Sequence, residues 1–448
     1  MTQPGLVPVQ TTPSASLRGV IRAPGDKSIS HRALIIAALA TGRSLIKGLL
    51  VADDLTSTAN ALRQCGVVIG VGKQGDCEID GVGIGGLIEP ANVLDLGNSG
   101  TAVRLLMGVL ASHPIQTIFS GDRSLQARPM RRVAEPLEQM GASVRTGTNG
   151  GLPVVLIGAQ SPMPITYQLP VASAQVKSAI LLAGLNIIGT TKVIESIPTR
   201  NHTENMLRAF GAKIGSELID GVTHITLEGH PELMAQEVIV PGDPSSAAFP
   251  LVAALITQNS EVVVEGVGIN ETRTGLYKCL LEMGADIHID SVATVNGEPI
   301  ANITARSSKL KAVEISASRA PSMIDEYPIL AAAAACADGT TLMHGLGELR
   351  IKESDRLRAI VDGLQDCGVE TSVTGDTLEV KGTGTGGVPG SENQILSHRD
   401  HRIAMTFLTL GLVSEVPVEV DDGSMIDSSY PNFLQDMNLI GAKMACSI

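Results

Sequence analysis

Six times along this chain a helix-like segment runs into a glycine and then into strand-like sequence. The glycines are Gly66, Gly141, Gly211, Gly284, Gly368 and Gly441, in Cys-Gly-Val, Met-Gly-Ala, Phe-Gly-Ala, Met-Gly-Ala, Cys-Gly-Val and Ile-Gly-Ala, spaced by 70 to 84 residues. Glycine tolerates the left-handed backbone that stops a helix. Its recurrence at this period therefore marks one supersecondary unit used six times. Each repeat opens with a near-continuous apolar helical run, from Ser28, Ser99, Ser173, Ser245, Ser322 and His398, which predicts a buried helix. A second, amphipathic helix ends at the glycine, as in Leu276, Cys279, Leu280 and Met283. A strand follows, with Ala285, Ile287 and Ile289 alternating with Asp286, His288 and Asp290.

A longer repeat lies above these. Pro24-Gly25-Asp26 recurs 217 residues later as Pro241-Gly242-Asp243. A chain of 448 residues exceeds what one core holds, about 250–300 residues. We therefore expect an α/β (α+β) protein of two similar domains with three repeats each. Residues 24–242 form the first, and 1–23 with 243–448 the second, because a strand at Leu17–Ile21 would otherwise lack a partner. Equivalent repeats present their helix starts on one side of each domain, so the binding site is expected in the interdomain cleft.

The net charge of −13, and aromatics at 2% with no Trp, argue against nucleic-acid partners and acidic membrane surfaces. The longest plain apolar run, Ile329 to Ala337, is too short to span a bilayer. None of the six cysteines forms a Cys-x-x-Cys pair, which fits structural thiols in a reducing compartment. The first 16 residues hold no apolar core of a secretory leader, so a cytoplasmic protein is expected.

The chemistry gathers at the helix starts. Free N–H groups and the helix dipole favour anions there. The first start, Gly25-Asp26-Lys27-Ser28-Ile29-Ser30-His31-Arg32, adds a lysine that opposes the dipole. The second, Leu96-Gly97-Asn98-Ser99-Gly100-Thr101, reads as a small-residue anion nest or an ordinary turn. Arg128-Pro129-Met130-Arg131-Arg132 is a dense basic cluster, suited to phosphate or carboxylate or to a solvated face. Ser173-Ala174-Gln175 offers uncharged donors for a hydroxylated ligand, or a plain cap. In the fifth repeat Asp325 and Glu326 precede a buried helix and need partners or a raised pKa. If Arg350 to Arg358 is helical, Lys352 and Arg356 share a face with Glu353 between them, and an anion would relieve the repulsion. His398-Arg399-Asp400-His401-Arg402 opens the sixth run, where arginines disfavour a metal. The Ser245 start has no charge beyond Asp243 and is expected to act as a hinge.

These residues resemble the 5-enolpyruvylshikimate-3-phosphate synthases, from about Arg22 to Phe433. The resemblance rests on the Lys27 and Asn98 starts, Arg128-Pro129-Met130, Arg350-Ile351-Lys352-Glu353-Ser354-Asp355-Arg356 and Asp400-His401-Arg402-Ile403-Ala404-Met405. Met323-Ile324-Asp325-Glu326-Tyr327-Pro328 resembles the second, glyphosate-tolerant bacterial subgroup. The resemblance implies two domains of three βαβαββ units and a cytoplasmic shikimate-pathway transferase, a glyphosate target serving chorismate and aromatic amino-acid biosynthesis. It implies transfer of the enolpyruvyl group of phosphoenolpyruvate to the 5-hydroxyl of shikimate 3-phosphate, through a tetrahedral intermediate, with phosphate released. No metal or organic cofactor is implied, and the expected partners are small molecules for a monomeric enzyme. By similarity, Lys27, Ser28, Arg32, Ser173, Ala174, Gln175, Arg200, Asp325 and Lys352 bind shikimate 3-phosphate. Lys27, Asn98, Gly100, Arg128, Gln175, Arg356 and Arg402 surround phosphoenolpyruvate. Asp325 fits the base and Glu353 the acid, with Lys27 assisting proton traffic.

Two departures stand out. Ser428 takes the place of a lysine found in many relatives of this family. Gly100 stands where tolerant members carry alanine, so glyphosate sensitivity is expected. The sister enolpyruvyl transferase acting on UDP-N-acetylglucosamine is the nearest rival, but the loop from Ser120 to Arg132 lacks its cysteine acid. A non-catalytic anion-binding repeat protein is the other reading; Asp325 and Glu353 together argue against it.

Overall fold

The computed structural model describes residues 6–72, 75–384 and 387–447. Residues 1–5 and 448, assigned above to the second domain, lie outside these. All six repeat glycines have positive φ, from 78° to 108°. Each closes the same pair of hydrogen bonds. Gly66 N–H donates to Arg63 C=O at 3.0 Å, and Val67 N–H donates to Leu62 C=O at 3.1 Å. Equivalent bonds recur at the other five glycines. This is the Schellman motif, and its apolar contact is present too: Val67 and Leu62 are both buried. The outer helices so ended are Asp53–Gln64, Arg131–Gln139, His202–Ala209, Gly275–Glu282, Arg356–Asp366 and Phe433–Leu439.

The inner helices are Lys27–Ala38, Gly100–Ala111, Ala174–Gly184, Pro244–Ile256, Tyr327–Ala335 and His401–Leu410. All are apolar nearly all round and buried, as such helices must be. Two begin later than the sequence suggests. Ala317–Ser322 forms a 3-10 turn, so the fifth helix starts at Tyr327, where Pro328 is tolerated in the first turn. His398 and Arg399 take left-handed backbone, φ 53° and 56°, so the sixth starts at His401 behind its cap Asp400.

Among the described residues, the strands of five repeats form a sheet with one parallel and two antiparallel pairings. In the third repeat, Thr166–Gln168 runs parallel to Thr190–Glu195, which pairs antiparallel with Val222–Glu228, and that with Ile214–Ile219. Four other described sheets share this order. In three of the six sheets a strand from a distant part of the chain completes the pairing. Glu237–Ile239 returns to supply the parallel strand beside Thr41–Lys47 of the first repeat. Arg18–Arg22 does the same beside Glu261–Gly268 of the fourth. Val9–Thr12 fills the sixth sheet between Val418–Val420 and Lys443–Cys446. That strand, Val-Gln-Thr-Thr, carries too little apolar alternation to stand out in the sequence. Asp286–Val295 forms as expected but at a sheet edge, so Ile289 stays exposed despite the alternation.

The chain divides into two compact units: Met1–Pro24, Pro241–Ala293 and Pro299–Ile448 in one, Gly25–Val240 and Thr294–Glu298 in the other. Each has its own hydrophobic core. Cys65, Cys77, Cys279, Cys336 and Cys367 are buried free thiols, and Cys446 is exposed. Among the described residues no helix is long and apolar enough to cross a membrane.

A second set of glycines holds the repeats closed by space rather than by backbone angle. A Cβ on Gly158 would lie 1.7 Å from the carbonyl oxygen of His113. Gly141→Ala, forcing alanine into left-handed backbone, should cost about 1–2 kcal/mol. Gly158→Ala should cost more, about 3 kcal/mol, because backbone must move. Urea unfolding followed by circular dichroism separates the two; wild-type midpoints in both variants would contradict this account of the repeat.

Candidate active site

In the Gly25–Val240 unit, three inner helices begin around a set of cations. Asp26 caps the first, accepting from Ile29 N–H at 2.8 Å. Lys27 Nζ lies 2.5 Å from Asp54 Oδ2, a largely buried carboxylate on the next helix. That pairing answers the question raised by a lysine in the first turn: a neighbouring acid offsets the dipole. Arg32 is 2% exposed. Its Nε donates to Thr203 Oγ1 at 2.7 Å, Nη2 to Ser178 Oγ at 2.9 Å and Nη1 to Ser28 C=O at 2.9 Å. Burial, opposed by Glu204 and Asp26 and reinforced by Arg200, lowers its pKa to about 10. It therefore stays charged at neutral pH, close enough to half-buried Arg200 for the two to repel. Two mutually repelling guanidiniums favour an anion.

The second start is held by hydrogen bonds rather than by free turn geometry. Arg128 Nη2 donates to Asn98 Oδ1 at 2.6 Å, and Asn98 Nδ2 donates to Asp122 Oδ2 at 2.6 Å. Arg104 Nη1 donates to Gln175 Oε1 at 2.9 Å, while Gln175 Nε2 donates to Thr101 Oγ1 at 2.9 Å. Gln175 thus joins the third helix start, capped by Ser173, to the second. A Cβ on Gly100 would come within 2.9 Å of Arg104 Nη1 and 3.0 Å of Arg128 Nη1. Gly100 is therefore the gap through which both guanidiniums approach the helix end.

The other unit carries acids. Arg356 is buried among three carboxylates: Nε donates to Asp400 Oδ2 at 2.8 Å, Nη1 to Asp325 Oδ1 at 3.2 Å, and Nη2 lies 2.6 Å from Glu353 Oε2. Lys352 Nζ lies 3.5 Å from the same Asp325 oxygen. Burial alone would lower the arginine's pKa, but Asp400, Glu353 and Asp325 together raise it. Burial would raise Asp400, yet Arg356 outweighs it and holds that carboxyl below its usual range. Asp400 also caps the sixth helix through Arg402 N–H, at 3.0 Å.

This geometry corrects one expectation. Gly347–Ile351 is 3-10, and the helix starts only at Arg356, so Lys352 and Arg356 share no helical face. Asp325, rather than an external anion, lies between their charges. Nor is the Ser245 start empty of charge: Arg273 Nη2 donates to Ser245 Oγ at 2.8 Å and to Asp243 Oδ1 at 3.1 Å. Asp54, Arg104, Asp122 and Asp400, absent from the expected site, orient its members. Asp400 could have been noticed as a cap residue ahead of His401-Arg402.

The chain matches the family model described as EPSP synthase (3-phosphoshikimate 1-carboxyvinyltransferase) over residues 11–437. It is 54% identical over 439 residues to a 3-phosphoshikimate 1-carboxyvinyltransferase of Paramagnetospirillum magneticum, covering 98% of both chains. A protein of that name from Rhodospirillum rubrum is 54% identical over 443 residues, again with 98% of both covered. Among solved structures, EPSP synthase from Acinetobacter baumannii aligns with TM-score 0.88 at 42% identity, over 99% of this chain and 100% of that one. The enolpyruvyl transferase NikO from Streptomyces tendae, at 18% identity and TM-score 0.75 over 99% of each chain, shares the fold.

His31 bears on stability within the first cluster. Thr58 Oγ1 donates to Asp54 C=O at 3.1 Å and so accepts from His31 Nδ1 at 2.8 Å. Burial, then Lys27 and Arg32, depress the imidazole well below its ordinary 6.5. The unfolded chain takes up that proton first as pH falls, so this contribution to stability is full above 6.5 and declines below it. His31→Gln should flatten the fall of the unfolding free energy between about pH 6.5 and 5, measured by urea unfolding, by up to about 1.4 kcal/mol per pH unit. Equal slopes in variant and wild type would contradict it.

Proposed function

The chain belongs to the EPSP synthase family, the 3-phosphoshikimate 1-carboxyvinyltransferases, and we propose that the two polar clusters carry out that family's reaction. The enzyme transfers the enolpyruvyl group of phosphoenolpyruvate to the 5-hydroxyl of shikimate 3-phosphate and releases phosphate. Lys27, Ser28, Arg32, Arg200 and the Ser173-Ala174-Gln175 start take shikimate 3-phosphate, with Asp325 and Lys352. Asn98, Gly100, Arg128, Gln175, Lys27, Arg356 and Arg402 take phosphoenolpyruvate. The observation that carries the reading is Arg356, which holds Asp325 and Glu353 on one guanidinium with Lys352 alongside. An anion-binding module has no use for two carboxylates among its cations.

Asp325 removes the proton of the 5-hydroxyl as its oxygen bonds to C2 of phosphoenolpyruvate. Glu353 protonates C3, giving a methyl group and a tetrahedral intermediate. The roles then reverse: C3 loses a proton and the C2–O bond to phosphate breaks. Arg128, Arg402 and Lys27 stabilise the departing charge. Arg356, engaged by three acids, contributes chiefly by holding them in place. We further propose a cytoplasmic monomer, in keeping with five buried free thiols.

Inorganic phosphate release with both substrates tests the reading, and UDP-N-acetylglucosamine in place of shikimate 3-phosphate should give none. Asp325→Asn should lower kcat by about 10²–10⁴-fold with the fold intact by circular dichroism; wild-type turnover would refute the base assignment. Gly100→Ala should raise the glyphosate inhibition constant and, by displacing Arg128, also raise the KM for phosphoenolpyruvate. An unchanged inhibition constant would remove the steric account.

A further inference from the structure

Asp325 and Glu326 are neighbours, yet their side chains part at the start of the Tyr327–Ala335 helix. Asp325 turns to Lys352 and Arg356. Glu326 is 2% exposed. Ser245 Oγ donates to its Oε1. That hydroxyl also accepts from Arg273 Nη2, which in turn reaches Asp243 Oδ1. Asp243 Oδ1 accepts from Ser245 N–H at 2.8 Å, closing the cluster. Asp243, Arg273, Ser245 and Glu326 are all nine-tenths or more buried.

An acid at a helix start is ordinarily explained as a cap. Glu326 occupies the cap position but makes no side-chain capping hydrogen bond. Its second oxygen, Oε2, is buried and has no hydrogen-bond partner among the described residues. A buried carboxylate with one oxygen unanswered costs stability, and the nearby guanidinium of Arg273 reaches Glu326 only through the Ser245 hydroxyl. Packing alone would be served better by an apolar residue of similar size. What the carboxylate does achieve is geometric. It ties the residue next to Asp325 to the start of the Pro244–Ile256 helix, so the turn bearing Asp325 is fixed from behind while Lys352 and Arg356 hold its carboxylate in front.

We propose that Glu326, anchored through Ser245 and Arg273, is a positioning residue that fixes Asp325 for proton transfer. This rests on the assignment of Asp325 as the base. A misplacement of about 1 Å at a reacting group can cost on the order of 10²-fold in rate. A group that acts through another lowers kcat without weakening substrate binding, and its effect disappears when that other group is removed.

Glu326→Gln keeps the shape and removes the charge. Its kcat should fall by about 10- to 100-fold, with both KM values within about threefold of wild type. The Asp325→Asn, Glu326→Gln double variant should be no slower than Asp325→Asn alone. Should Glu326→Gln fail to fold, Ser245→Ala reads the same link and should lower kcat in the same way. A kcat within twofold of wild type in the folded variant, or losses that multiply in the double variant, would overturn the proposal. A flat Glu326→Gln beside an impaired Asp325→Asn sinks the positioning role alone. Wild-type turnover in Asp325→Asn sinks the base assignment, and the positioning role with it.

Discussion

The turn at the end of each outer helix is the constraint on which the rest depends. The chain must leave a helix and enter a strand across three or four residues, six times over. Left-handed backbone at the glycine allows this, and the two following hydrogen bonds satisfy carbonyls that the helix end would otherwise leave open. Because backbone bonds and one small apolar contact do this work, the solution repeats almost unchanged. The opposite ends of the repeats, the starts of the inner helices, are freed from that duty and can differ. Lys27, Gly100, Gln175, Asp325 and Asp400 are the result.

Charge is divided between the two units according to what each start must do. The Gly25–Val240 unit gathers Lys27, Arg32, Arg104, Arg128 and Arg200 around three helix N-termini, a setting that holds anions. Its acids, Asp54 and Asp122, sit behind these cations and orient them. The other unit inverts the arrangement. There the arginine is innermost, and Asp325, Glu353 and Asp400 surround it. Carboxylates fixed around a buried guanidinium are held in known places, which proton transfer requires and anion binding does not.

The glycine stops, the buried inner helices and the family motifs were legible because each is a local signal: a residue type at a fixed period, or a contiguous string. Four things were not. The fifth and sixth helix starts moved by several residues because a 3-10 turn and two left-handed residues, His398 and Arg399, precede them. The Lys352–Arg356 relation depended on assuming helix where the chain runs through a 3-10 turn. Val9–Thr12 is a strand only because two distant strands offer it edges. Asp54, Asp122 and Asp400 matter through what they hold, and a partner 24 to 44 residues away in sequence leaves no local trace.

The first and fourth repeats show how one backbone serves two purposes. Pro24-Gly25-Asp26 and Pro241-Gly242-Asp243 open equivalent helices, and both aspartates cap them. After the first comes Lys27, paired with Asp54 from the following helix. After the second comes Pro244, and the segment that follows supplies Arg273, which binds Asp243 and Ser245. The signs are exchanged while the cap is kept. In the first repeat the cation stands at the helix start, partly open, with its acid behind it. In the fourth the cation stands behind, buried, and the hydroxyl at the start turns to Glu326. A proline at that position cannot carry charge, so the start is closed to anions. Its polar atoms are left to hold the neighbouring repeat's Asp325 turn, which is the physical basis for treating this start as an anchor for the site rather than as part of it.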